Sequence, residues 1–190
     1  MTTGNQGGAF IVSHSEISPR IVQLFFEGYI FEGLDLLPYN YFNNMVASYP
    51  YFKDWFYGKI RPELGNSNSG RKLLLVFKSD KNIQVQNLMG FAILKKTCRE
   101  KKICSFWIAP RERSRGYAME LLQACLNYLD TKKPLMTIPS KIKEDFHGIL
   151  DYYQFNLTQE LSSYYTEGEV EYVFNGYLKN KPIHISSKLQ

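Results

Sequence analysis

Apolar positions along the chain switch between helical and strand spacing. Phe10-Ile11-Val12 is a short apolar run that reads as a strand, and Ser18-Pro19 reads as a helix N-cap followed by proline in the first turn. Ile21, Leu24, Gly28 and Phe31 then recur at helical spacing until Gly33 and Pro38 break the pattern. A second helical stretch begins near Tyr39 with Phe42, Met45, Val46 and Tyr49, is interrupted at Pro50, and continues through Phe52, Trp55 and Phe56 to about Lys59. Gly65-Asn66-Ser67-Asn68-Ser69-Gly70 is a loop by composition, and it is too short to act as a linker between domains.

Continuous apolar runs dominate the middle of the chain. Leu73–Phe77, Leu88–Leu94 and Ile103–Ile108 predict three consecutive antiparallel strands, with turn residues at Lys81-Asn82 and a charged, exposed hairpin end from Lys95 to Lys102. Ala118, Leu121, Leu122, Cys125, Leu126 and Leu129 then form an apolar stripe, so Gly116–Asp130 is a helix. Short strands follow at Leu135–Ile138 and Phe155–Thr158, separated by a helix from Lys141 to Tyr152, and a last strand runs from Val170 to Tyr177. The resulting order is strand, two helices, three strands, helix, strand, helix, two strands, which places the chain in the α+β class.

At 190 residues, 44 % of them hydrophobic and 22 % charged, the chain suits one domain over 10–178, with a flexible lead at 1–9 and a tail at 179–190 that carries no readable signal. No run approaches the roughly 20 apolar residues of a membrane span, and the small polar residues Met1–Gly8 lack the form of a targeting signal. Cys98, Cys104 and Cys125 are odd in number and have no C-x-x-C spacing, so reduced thiols in a cytoplasmic protein are expected. His14, His147 and His184 are isolated from other ligand-type residues, and no metal site is expected. Ser13-His14 lacks a nucleophile-elbow context, so hydrolase chemistry has no support.

Charge narrows the ligand class. Eight basic residues lie between Lys95 and Arg115 against only Glu100 and Glu112, so this segment carries +6 where the whole chain carries +5. A patch bracketing one strand-to-helix connection suits a small phosphorylated ligand better than a nucleic-acid surface. Within it, Ile108-Ala109-Pro110-Arg111-Glu112-Arg113-Ser114-Arg115-Gly116-Tyr117-Ala118 joins strand to helix. Gly116 and Ala118 let a ligand approach the main chain, the helix start offers N–H groups and its positive dipole end, and Arg113 and Arg115 bring forked donors that match pyrophosphate oxygens.

This segment resembles the acetyl-coenzyme A motif of the GNAT superfamily of N-acetyltransferases, a strand ending V/I-x-P before Q/R-x-x-G-x-G/A. Ile108, Pro110, Arg113, Gly116 and Ala118 fill the pattern, and the element order over roughly residues 10–177 is that of the GNAT fold. The resemblance implies an α/β/α sandwich with a mixed, mainly antiparallel sheet of about seven strands and helices on both faces. It further implies that Phe106, Trp107 and Ile108 offer backbone bonds to the pantetheine arm and acetyl carbonyl, and that Arg113, Ser114, Arg115, Gly116, Tyr117 and Ala118 cradle the pyrophosphate. An amine acceptor would then attack the thioester directly.

Many members carry N-x-x-A-x-x-x-Y-x-x-x-G-F after the fifth strand, with the tyrosine protonating the leaving thiolate. Anchored on Phe155, those positions hold Lys143, Phe146, Leu150 and Gln154, so the usual acid is replaced by a leucine. Tyr153, and less so Tyr152, are the nearby substitutes. The acceptor side of such proteins uses the first helices and the loop between the last two strands. Here nine aromatics crowd the 19 residues from Tyr39 to Tyr57, serving the core, an apolar acceptor groove or a contact between two copies of the chain. Leu37-Pro38-Tyr39, Tyr41 and the pair Tyr164-Tyr165 are the acceptor-side candidates, the first and last resembling the substrate loops of N-terminal peptide acetyltransferases. Glu27, Glu32 and Asp35 suit either a cationic amine or a solvated helix face.

Three readings stay open on these residues. One is an acetyl-coenzyme A-dependent N-acetyltransferase for a primary amine on a small molecule, peptide or aminoacyl group. Another is a coenzyme-binding module without turnover. The third is an acetyltransferase for an RNA-linked acceptor, with Lys95–Lys102 as its electrostatic foot.

Overall fold

The computed structural model describes residues 9–16, 52–78 and 87–179. The expected helix after Ser18-Pro19, the part of the second helical stretch from 39 to 51 with Tyr39 and Tyr41, the turn at Lys81-Asn82, and positions 180–190 lie outside this range. Two compact units divide the chain between Pro134 and Leu135.

In the first unit, β1 (Ala9–Ser13), β2 (Arg71–Lys78), β3 (Asn87–Lys96) and β4 (Lys101–Ile108) pair in chain order, each antiparallel to the next. The three consecutive apolar runs are therefore three consecutive strands, as expected. Leu73, Leu75, Phe77, Phe91, Ile93 and Trp107 share a buried cluster with Phe52, Phe56 and Ile60. Those last three come from α1 (Phe52–Trp55), which passes through a π-helical turn at Phe56–Ile60 into α2 (Arg61–Leu64). The wide π turn takes up an extra residue, which keeps side chains spaced by four on one face. The helix ends at Leu64 rather than about Lys59, because Pro62 is accommodated in the first turn of α2, where no N–H is needed.

Alternate strand residues, Leu74, Val76, Ala92 and Leu94, are buried on the opposite face by the two-residue strand period. There α3 (Tyr117–Leu129) packs on β3 and β4 through Leu121, Leu122, Cys125, Leu126 and Leu129. Burying each large apolar side chain contributes about 1.5–3 kcal/mol, so this stripe holds α3 firmly in place. Gly90 in β3 is dictated by packing, since a Cβ there would lie 2.6 Å from the Trp107 carbonyl oxygen.

Register shifts at Val76/Phe77 and at Ile93/Leu94 leave Met89 and Cys104 as extra residues in β3 and β4. The bulged Cys104 thiol accepts a hydrogen bond from Arg71 Nη1 at 3.0 Å, and the buried Arg71 guanidinium pairs with Glu63. Burial pushes the Cys104 thiol up and outweighs the adjacent guanidinium, which favours the protonated thiol.

The second unit orders its strands β5-β7-β6: β5 (Leu135–Pro139) and β6 (Leu157–Ser162) flank β7 (Val170–Phe174), both antiparallel to it. Three expectations change here. The helix expected from Lys141 to Tyr152 is split into 3-10 turns at Ser140–Ile142 and Glu144–Phe146 and a short α4 (His147–Tyr152), because Phe146 at φ −100°, ψ −6° breaks the ladder. The strand expected at Phe155–Thr158 starts at Leu157, and the last strand stops at Phe174, because Gln154 (φ +53°) and Asn175 (φ +58°) turn the chain. Among the described residues no helix is long and apolar enough to cross a membrane.

Candidate functional site

Ala109 leaves β4 with its N–H donating to the Met89 carbonyl at 2.8 Å, and a 3-10 turn, Pro110–Glu112, then leads toward α3. Ser114 (φ +60°) and Gly116 (φ +91°) both take the left-handed conformation just ahead of that helix. Gly116 is its N-cap, and its carbonyl accepts from the N–H groups of Met119 at 2.9 Å and Glu120 at 3.2 Å. A Cβ on Gly116 would meet nothing within 4 Å, so its backbone angle, not crowding, demands glycine, and the space above the turn is open. Tyr117 and Ala118 begin a 13-residue helix at the end where N–H groups lack a partner one turn back.

Arg113, Ser114 and Arg115 are all exposed on this turn. Arg115 Nη1 is bridged to Glu112 at 3.1 Å, a pairing that sequence spacing alone did not suggest. Upstream, Phe106 is half-buried while Trp107 and Ile108 are buried, and the Trp107 ring lies 5.7 Å from Phe91. The nine residues expected to take the coenzyme thus lie along one strand–turn–helix segment, 106–118, inside the first unit.

The basic hairpin is tied down where an exposed, solvated end was expected. Lys96 Nζ donates to the Tyr128 carbonyl at 2.9 Å and lies 5.7 Å from the Tyr128 ring, as does Lys72 Nζ. Lys101 Nζ donates to the Asp130 carbonyl at 2.6 Å, and Lys95 pairs with Glu100 at 2.9 Å. Two ammonium groups therefore sit on the negative end of α3, the helix whose positive end opens the candidate anion turn. Reversing both, Lys96→Glu with Lys101→Glu, is expected to cost about 1–3 kcal/mol and lower the melting temperature by several degrees. An unchanged melting curve would contradict this anchoring.

In the second unit, α4 ends in a Schellman arrangement, with Phe155 N–H donating to the Leu150 carbonyl at 2.8 Å and Gln154 N–H to Asp151 at 3.0 Å. Gln154 occupies the left-handed position that glycine fills in the motif anchored on Phe155. Leu150 is buried, Tyr152 is 73 % exposed, and Tyr153 is half-buried with its ring 5.0 Å from Tyr152 and 6.3 Å from Phe155. Burial, with a smaller contribution from Tyr152, pushes the Tyr153 phenol up, so it is protonated at neutral pH.

Tyr164 and Tyr165 lie in the β6–β7 loop with rings 4.7 Å apart, and the Tyr164 hydroxyl donates to the Lys179 carbonyl at 3.2 Å. At the same loop Glu169 accepts from Ser140 Oγ and pairs with Lys141 Nζ at 2.7 Å, and the hydrogen bonds from Lys141 and Ser140 hold its carboxyl below the usual range. Sequence reasoning did not single out Glu169 or the buried Glu171, since two glutamates beside a turn look like solvent-facing charge.

No protein-family model matches the sequence, and no curated protein matches it at the sequence level. Solved structures do match. Ard1 from Thermoplasma volcanium aligns over 87 % of this chain and 95 % of its own, at 15 % identity and a TM-score of 0.55. A GNAT-family acetyltransferase from Bacillus cereus aligns over 88 % and 96 %, at 16 % identity and a TM-score of 0.54. The chain has the GNAT fold. A third structure, the ribosomal-protein-S18-alanine N-acetyltransferase from Escherichia coli, covers 88 % of this chain and 92 % of its own at 10 % identity and a TM-score of 0.53. The seven strands among the described residues and the α+β class agree with the GNAT expectation. Within the GNAT frame this chain keeps the strand–turn–helix segment of the motif and replaces its later tyrosine and glycine by Leu150 and Gln154.

Proposed function

We propose that the chain is an acetyl-coenzyme A-dependent N-acetyltransferase acting on a primary amine. The observation that carries this reading is the Arg113–Ala118 turn, with Gly116 at φ +91° under open space and a 13-residue helix starting directly behind it. A pyrophosphate fits that chemistry: main-chain N–H groups at a helix start, the positive dipole end, and exposed Arg113 and Arg115. Phe106, Trp107 and Ile108 would hold the pantetheine arm by their main chain, as the resemblance implies.

When bound, acetyl-coenzyme A supplies an activated acetyl thioester. The protein's own role is to fix the acceptor amine against the carbonyl, to support charge on its oxygen, and to return a proton to the departing sulfur. Tyr153 is the proposed donor of that proton. Free Cys98, Cys104 and Cys125 suit a reducing compartment, and cytoplasm is the proposed location.

Leu150 favours a second reading, a coenzyme-binding module without turnover, because a buried leucine has no proton to give. The RNA-directed reading loses support, since Lys95, Lys96 and Lys101 are engaged by Glu100, Tyr128 and Asp130. A screen of amines, aminoacyl groups and peptides that follows thiol release from acetyl-coenzyme A separates the two survivors. Tight coenzyme binding with no thiol release from any acceptor would establish the module.

A further inference from the structure

The end of β4 is gripped from one side by a short piece of β3. Ala109 N–H donates to the Met89 carbonyl at 2.8 Å, and the two strands keep an unbroken register from Gly90↔Ile108 to Ile93↔Ser105. In an antiparallel ladder, pairs that exchange hydrogen bonds alternate with pairs whose main-chain groups point outward. Met89 and Ala109 belong to the first kind, so Gly90 and Ile108 belong to the second, and Phe91 and Trp107 to the first again. Trp107 therefore turns its main-chain groups toward β3, and Ile108 directs its N–H and carbonyl away from β3. The planar trans peptide between them fixes this opposition, because its carbonyl and its N–H point in opposite directions.

Gly90 lets that peptide sit where it does. It lies outside the left-handed region, so its backbone angle does not call for glycine. Contact does: an added Cβ would lie 2.6 Å from the Trp107 carbonyl oxygen and 2.5 Å from Ile108 Cδ1. The Cδ1 atom can rotate aside. The carbonyl belongs to a main chain already fixed by the Ala109–Met89 bond and by the Phe91–Trp107 ring contact at 5.7 Å. Glycine weakens a strand interior, and its presence there marks a close approach of another backbone. We propose that Gly90 is a positioning residue for the coenzyme: its missing Cβ keeps the Trp107–Ile108 peptide against β3 and so aims the Ile108 main chain at the ligand. This role rests on the acetyl-coenzyme A reading of β4, and within that reading it assigns the contact to Ile108 rather than Trp107.

Gly90→Ala, shown to be folded by its melting curve, should bind acetyl-coenzyme A at least about tenfold more weakly than wild type in calorimetry. Its Ala109 amide should exchange at least about tenfold faster, as the bond to Met89 loosens. Adding Ile108→Val vacates the Cδ1 position and should not restore affinity, because the conflict lies with the main chain. Leu129→Ala, at the far end of α3 and 0 % exposed, is the control for lost stability: it should lower the melting temperature at least as far yet bind within about twofold of wild type. Wild-type protein that binds no acetyl-coenzyme A overturns the coenzyme reading and this role together. A folded Gly90→Ala that binds as wild type does, an affinity restored by Ile108→Val, or an equal loss in Leu129→Ala overturns the positioning role alone. Should Gly90→Ala fail to fold, the wild type decides: saturating acetyl-coenzyme A should slow exchange of the Ile108 amide at least about tenfold and leave that of Trp107 within about twofold, and any other pattern overturns the role.

Discussion

Gly116→Glu is expected to abolish acetyl-coenzyme A binding, lowering affinity by at least about 100-fold, because it places a carboxylate where charge-assisted hydrogen bonds worth about 1.5–3 kcal/mol each are meant to form. The protein itself has room for the new side chain, since nothing lies within 4 Å of a Cβ at this position. The cost of φ +91° falls on any residue other than glycine, so Gly116→Ala is the matched control. It carries the same backbone strain of about 1–2 kcal/mol without bulk or charge. Calorimetry on both variants, each shown to be folded by its melting curve, separates strain from lost ligand contacts. If folded Gly116→Glu binds the coenzyme as wild type does, the turn is not the pyrophosphate site.

Most of the first unit was legible because its signals are local and strong. Leu73–Phe77, Leu88–Leu94 and Ile103–Ile108 are uninterrupted apolar runs, and the stripe from Ala118 to Leu129 keeps one helical face over more than three turns. The second unit was harder for a definite reason. Gln154, Ser163 and Asn175 all take positive φ there without being glycine, so this unit conceals several of its turns behind residues that do not announce them. Gln154 moved the start of β6 by two residues, and Asn175 ended β7 three residues early.

Long-range contacts had no signal in the pattern at all. Lys96 reaches Tyr128 across 32 positions and Lys101 reaches Asp130 across 29, and a charge run read along the chain cannot reveal that a helix end lies against it. The bulge at Cys104 and the close approach at Gly90 depend equally on pairing partners. The strand–turn–helix connection was the exception, because its arginines, its glycine and its helix start are consecutive residues.

Tyr153→Phe is expected to lower turnover by about 10²–10⁴ with coenzyme affinity unchanged, the signature of a lost general acid. The neighbouring side chains differ in what they can supply. Leu150, at the usual acid position, is buried and has no ionisable group, and Tyr152 is 73 % exposed, where its proton exchanges with solvent. The Tyr164 hydroxyl is committed to the Lys179 carbonyl. Tyr153 is half-buried, and burial raises its pKa, so it carries its proton throughout the neutral range and has one to give to the departing sulfur. Tyr152→Phe and Tyr164→Phe should therefore stay within a few-fold of wild type in the same assay, run with an acceptor found by the thiol-release screen. The pH profile adds an independent readout: an essential protonated tyrosine makes kcat fall on the alkaline side, and Tyr153→Phe should lose that limb. If all three variants keep wild-type turnover, water protonates the thiolate, and Leu150 marks a site that works without a protein acid.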